Sequence, residues 1–145
     1  MKAKSGFTLV EILIVVVILG ILAAIVIPQF TEASTEAKTS SLCTDLQTMR
    51  SQIELYKVQH NDDLPGTGTA SFEESMTQKT DITGALDAAG AYGPYLQKIP
   101  TNPFNDLNTV QVEAGNSGLG SGNTGWHFDS TTGAFHADTD DHVAL

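Results

Sequence analysis

The chain has 145 residues with seventeen acids against seven Lys and Arg, a formal net charge of −10, and one cysteine, Cys43. That length allows about one small domain. The charge disfavours nucleic-acid binding, which needs a basic surface to neutralise phosphates, and a lone cysteine excludes an intrachain disulfide.

Lys2 and Lys4 precede an apolar run, GFTLVEILIVVVILGILAAIVIPQF, from Gly6 to Phe30. From Phe7 to Ile27 every residue but Thr8 and Glu11 is apolar or Gly. At about 1.5 Å per residue a helix of this length spans about 30 Å, the thickness of a bilayer core. No positive residue follows until Lys38, so the positive-inside rule places the N-terminus in the cytoplasm. Three readings compete. A cleaved secretory signal has a shorter apolar core, although Leu22-Ala23-Ala24 offers small residues. A plain anchor explains length and lysines but not Glu11, because a carboxylate among lipid tails costs several kcal/mol unless paired. A functional element is the third reading, because an intramembrane acid needs a partner; within helical reach on its own chain no cation is present, Lys4 being seven positions away.

The segment Lys2-Ala3-Lys4-Ser5-Gly6-Phe7-Thr8-Leu9-Val10-Glu11, running into an unbroken apolar helix to about Phe30, resembles the class III signal of type IV pilins and type II secretion pseudopilins. The resemblance implies cleavage by a prepilin peptidase between Gly6 and Phe7 and methylation of the new amino group on Phe7. It also implies that Glu11 pairs with the N-terminal ammonium of a neighbouring subunit. Pro28 closes the apolar run; its missing N–H and ring clash predict a bend or loosening there, and the resemblance places that loosening in the assembled filament.

Thr31 to about His60 lacks Gly and Pro and continues the helix. Leu42, Leu46, Met49, Ile53 and Tyr56 recur at spacings of four and three, a single stripe that must pack against the C-terminal half. Cys43 beside the stripe reads as a small semi-buried residue rather than a reactive thiol. Asn61-Asp62-Asp63-Leu64-Pro65-Gly66 ends the helix. Ser71 to Glu74 forms a capping-box pattern opening a short helix with Phe72 and Met76 on one side. Asp81 to Ala89 reads as a second, weak helical stretch with Ile82 and Leu86 facing inward.

Tyr95-Leu96-Gln97-Lys98-Ile99-Pro100-Thr101-Asn102-Pro103-Phe104 resembles the pseudopilin motif Tyr-Leu-x-x-x-Pro-x-Asp-Pro-Trp, with Asn102 for the acid and Phe104 for the Trp. Its prolines hold it extended, and Tyr95, Leu96, Ile99 and Phe104 can pin it across the stripe. This second match points to the major pseudopilin of type II secretion systems. The remainder reads as a small antiparallel sheet: Val110-Gln111-Val112, a glycine-rich loop from Gly115 to Gly125, and a hairpin around Ser130-Thr131-Thr132-Gly133. If Asp129 pairs with Ala134, Phe128 faces Phe135 in the core and His127 faces His136 on the surface.

The expected fold is therefore α+β and pilin-like, a long N-terminal helix packed against a small C-terminal antiparallel sheet. Its expected divisions are a leader over 1–6, a transmembrane and polymerisation half-helix over 7–29, and a periplasmic domain over 30–145. That domain comprises helix to 61, a variable loop over 62–108, and sheet with acidic tail over 109–145.

Nothing in the sequence forms a catalytic constellation: there is no nucleophile elbow, Walker loop or His-Glu-x-x-His. An enzyme would have to use His127 or His136 with Asp129 or Asp138. No cofactor is required. The tail Asp138-Thr139-Asp140-Asp141 leaves three readings: a solvated acidic terminus; a calcium site through Asp138, Asp140 and Asp141; or a transition-metal site lined by His127, His136 and His142. The calcium reading comes with the resemblance, whose Ser-x-Gly-x-Asp-Gly segment is missing here. The resemblance further implies a homopolymer and a lipid bilayer before assembly. Its other implied partners are prepilin peptidase, minor pseudopilins and an inner-membrane assembly platform, with no nucleic acid. The expected function is a structural subunit of a secretion pseudopilus; the alternative is a type IV pilus pilin for adhesion, motility or DNA uptake.

Overall fold

The computed structural model describes residues 6–145, so Lys2 and Lys4 lie outside the described residues. The order of elements is α1 (Leu9–Gln59), α2 (Phe72–Thr77), β1 (Val110–Glu113), β2 (Ser121–Asp129), β3 (Phe135–Thr139) and a short 3-10 helix, Asp140–His142. Two compact units divide within α1, between Ala37 and Lys38.

In the first unit α1 runs unbroken through Pro28. The expected bend therefore does not interrupt the helix, although Pro28 has no N–H to offer the Ala24 carbonyl. Its large apolar side chains from Phe7 to Phe30 are 42–82 % exposed. Among the described residues α1 is the one helix long and apolar enough to cross a membrane, with a mean hydropathy of 3.3 in its apolar window.

In the second unit the helical stripe is the core. Leu42, Leu46, Met49, Ile53 and Tyr56 are the buried residues of α1, each at most 2 % exposed. They join Phe72, Met76, Ile99, Trp126, Phe128, Phe135 and Ala137 in one cluster, with Tyr95, Leu96 and Phe104 packed against it. Cys43, one residue off the stripe, is exposed rather than semi-buried, because a helix turns it about 100° from Leu42. The α2 capping box is present in full: Glu74 N–H donates to Ser71 Oγ at 3.3 Å and Ser71 N–H donates to Glu74 Oε2 at 2.9 Å.

Two expectations fail. Residues 81–89 form turns, not a helix. Asp81 Oδ1 accepts from the N–H groups of Thr83 (2.8 Å) and Ala85 (3.0 Å), and Gly84 takes φ +76°. A side-chain acceptor competes with the helical ladder for those amides, and Ile82 and Leu86 are left 47 % and 43 % exposed. The sheet is also mixed rather than antiparallel: β2 is central, β1 runs parallel to it with Val110 opposite Trp126, and β3 runs antiparallel. A parallel pair needs a connection of about a dozen residues or more before pairing begins; residues 114–120 and the first part of β2, which pairs with β1 only from Trp126, supply it.

The β2–β3 register is the expected one, Phe128 opposite Phe135 and His127 opposite His136. Phe128 and Phe135 are core. His127, however, is buried, since the loop after β1 closes over it and its Nε2–H donates to the Ser117 carbonyl at 3.3 Å. The Tyr95–Phe104 segment is fastened to the middle of β2 by Trp126 Nε1–H donating to Pro100 O (2.8 Å) and Asn102 Nδ2–H donating to Gly125 O (2.8 Å). Asn102 also accepts from the Phe104 N–H at 2.9 Å. An amide serves both roles, and a carboxylate could not donate to Gly125.

Candidate functional site

The head of α1 is built as a capping box. Thr8 N–H and Thr8 Oγ1–H both donate to Glu11 Oε2 at 2.7 Å, and Glu11 N–H donates back to Thr8 Oγ1 at 3.3 Å. Glu11 thus has a neutral hydrogen-bond partner on its own chain, Thr8, though not a cation. The signal is Thr-x-x-Glu, the same template that Ser71 and Glu74 obey. These bonds orient the carboxylate without neutralising it. They use Oε2, and among the described residues Oε1 accepts no hydrogen bond. Phe7 stands next to this cap, 80 % exposed. Gly6, Phe7, Glu11 and Pro28 therefore all lie in the first unit, three of them at its helical start.

The tail carboxylates part company. Asp138 is fully buried at the end of β3, whereas Asp140 and Asp141 are exposed on the 3-10 helix. The histidines separate too. His136 Nδ1–H donates to Val143 O at 3.1 Å, while the His142 ring stacks on Phe104 with centroids 3.8 Å apart. Among the described residues no three His, Cys, Asp or Glu side chains gather closely enough to hold a metal ion.

Both buried acids of the sheet organise loops. Asp129 Oδ1 accepts from the N–H groups of Gly115 and Thr131, each at 2.8 Å, and Asp129 Oδ2 accepts from Thr132 Oγ1 at 2.6 Å. The Thr132 hydroxyl and these amides hold the Asp129 carboxyl well below the ordinary carboxylate range. A depressed folded-state pKa contributes stability above the unfolded value, about 3.9, that is lost as pH falls through the folded one. Urea unfolding is therefore expected to show stability declining below about pH 4, with Asp129→Asn less stable at neutral pH and flatter with pH. An unchanged pH slope in that variant would remove Asp129 from the acid response.

The family model described as the prokaryotic N-terminal methylation motif matches residues 1–27. Over 103 residues the chain is 34 % identical to the type II secretion system core protein G of Pseudomonas aeruginosa, covering 71 % of this chain and 70 % of that protein. The protein of the same name from Klebsiella pneumoniae is 30 % identical over 106 residues, 72 % of this chain and 71 % of that one. A fimbrial protein of Pseudomonas aeruginosa is 41 % identical over 54 residues, covering 37 % of this chain and 35 % of that one. No solved structure matches.

Proposed function

This chain belongs to the type II secretion system core protein G family, and on that premise we propose that it is the pseudopilus subunit which polymerises through α1 to support protein secretion across the outer membrane. The family is one of structural, membrane-anchored subunits processed by prepilin peptidase, and polymerisation of the pilus kind follows from membership. The reading carries no catalytic activity. It divides the chain into a leader over 1–6, a membrane and assembly half-helix over 7–29, and a domain from 30 onward. It places the N-terminus in the cytoplasm and the domain in the periplasm. Partners are further copies of the chain, minor pseudopilins and the inner-membrane platform.

One observation supports this most directly: an uncovered apolar helix headed by a carboxylate that Thr8 orients but does not neutralise. Lipid can cover the apolar side chains before assembly, each worth about 1.5–3 kcal/mol when removed from water. Other copies can cover them afterwards. Cleavage after Gly6 frees the amino group of Phe7, and in an assembled filament a neighbouring copy can bring that cation to Glu11 at the right depth. Glu11 Oε1 is the atom left to receive it.

Mass spectrometry of the membrane-extracted protein tests the processing step. The expected N-terminus is methylated Phe7, and Gly6→Val is expected to keep residues 1–6 and yield no filaments. A mature chain that still begins at Met1 overturns the proposal. The second reading, a type IV pilus pilin, draws on the fimbrial match, which reaches little more than a third of either chain. Deleting the gene separates the two: loss of secreted enzymes with surface pili intact supports the first, and the converse supports the second.

A further inference from the structure

The carboxylate of Asp138 receives five hydrogen bonds. Oδ1 accepts from Gly120 N–H (2.7 Å) and Ser121 N–H (3.0 Å). Oδ2 accepts from Ser121 Oγ–H (3.0 Å), Thr124 N–H (3.0 Å) and Thr124 Oγ1–H (2.8 Å). This is the stretch where the β2–β3 ladder is irregular, between Ser121 and Trp126. Thr124 lies inside that stretch, Ser121 opens it and Gly120 precedes it, so one side chain gathers donors from around the irregularity. Gly120, at φ +83°, takes a left-handed backbone conformation that L side chains rarely adopt.

A calcium ion takes six to eight oxygen ligands at about 2.3–2.6 Å. An ionised carboxylate has about four lone-pair sites, and five hydrogen bonds fill them here, although the Ser121 N–H is shared with Gly118 O and the Thr124 hydroxyl with Trp126 O, each at 3.1 Å. A cation at the same oxygens would face those hydrogens at close range. Asp140 and Asp141 lie exposed beyond the end of β3, and among the described residues they form no group of three His, Cys, Asp or Glu able to hold a metal ion. The donor set around Asp138 suits an anion and does not fit a metal ion.

We infer that in this chain the buried Asp138 carboxylate, saturated by the Gly120–Thr124 loop, fastens the tail in place of the calcium site that the resemblance implies, so that the domain folds and holds its tail without the ion. The inference concerns the second unit alone and does not rest on the secretion reading. Burial alone would push the Asp138 carboxyl up; the hydrogen bonds from Thr124, Ser121 and Gly120 outweigh it and hold it below the ordinary range. The anion is thus the form the fold keeps.

The full chain in detergent can be unfolded thermally while its single tryptophan, the buried Trp126, reports the second unit through fluorescence. A bound ion makes the midpoint depend on its concentration. The expected midpoint is the same in excess chelator and in millimolar calcium. Asp138→Asn, which turns one acceptor into a donor facing donors, is expected to lower it by roughly 8 °C or more in both conditions. Thr124→Val removes one hydroxyl donor and keeps the backbone bond, and it serves if the first variant does not fold. Its expected loss is roughly 4 °C, again equal with and without calcium. Asp140→Asn with Asp141→Asn is expected to change nothing. A wild-type midpoint that rises with calcium, and loses that rise when Asp140 and Asp141 are replaced, overturns the inference.

Discussion

Glu11→Leu is expected to leave the chain in the membrane and to remove filaments, with yield falling at least about tenfold. The apolar helix gains an apolar residue, so insertion is unharmed or improved. What is lost is a charge pair in a water-poor interface, where removing one partner costs about 2–5 kcal/mol and strands the other; each 1.4 kcal/mol is about tenfold in an association constant. The loss repeats at every subunit contact. Two companion variants separate charge from capping. Glu11→Gln keeps an oxygen for Thr8 to bond but removes the charge, and it should resemble Glu11→Leu. Thr8→Val removes a cap worth about 1 kcal/mol but keeps the carboxylate, and it should assemble nearly as the wild type does. Filament yield in sheared fractions, against total membrane content, is the measurement. Normal assembly of Glu11→Gln would sink the pairing and leave Glu11 as a cap alone.

Phe128→Ala is expected to destabilise the second unit by about 3–5 kcal/mol, a large part of the roughly 5–15 kcal/mol a domain commonly has. Phe128 is fully buried, its ring centroid 4.6 Å from that of Phe72. It pairs with Val112 on one side and Phe135 on the other, so it ties α2 to all three strands. Truncation leaves a cavity that β2, held centrally, cannot collapse to fill. Val112→Ala, on an edge strand and 39 % exposed, is expected to cost under about 1 kcal/mol. Urea denaturation followed by Trp126 fluorescence gives both values. Near-equal losses would mean that Phe128 is not the joint between these layers.

The parts of this protein that depend on spacing are legible in the amino-acid order. The stripe Leu42, Leu46, Met49, Ile53 and Tyr56 is the buried face of α1 because a helix has one period and a core has one side. Ser71 and Glu74 cap α2 because both partners lie within one turn. The β2–β3 register follows from a short turn between two alternating strands. The Thr8–Glu11 cap is equally local. It is hidden by the charge of Glu11, which calls for a cation, whereas the same carboxylate also accepts neutral bonds from Thr8.

Where the chain returns on itself over distance, the sequence is silent or misleading. Nothing local says that β1 runs parallel to β2: strand direction is decided by how the chain crosses after β1, and that path is held by Asp129 and His127 of β2, which bond to Gly115 and Ser117. The burial of His127 follows from the same crossing. Asp138 shows the difference most sharply. As one of three acids in a terminal run it reads as a solvent-facing or metal-binding group. Only the fold turns it inward and brings five donors to it, because hydrogen bonds from residues 120–124 to residue 138 depend on the closing of a sheet and not on the neighbours of either. The sequence alone settles the apolar N-terminal helix, its acid and the helical core stripe, which are matters of composition and period. Tertiary structure decides which acids are structural anions, since that depends on what packing removes from water.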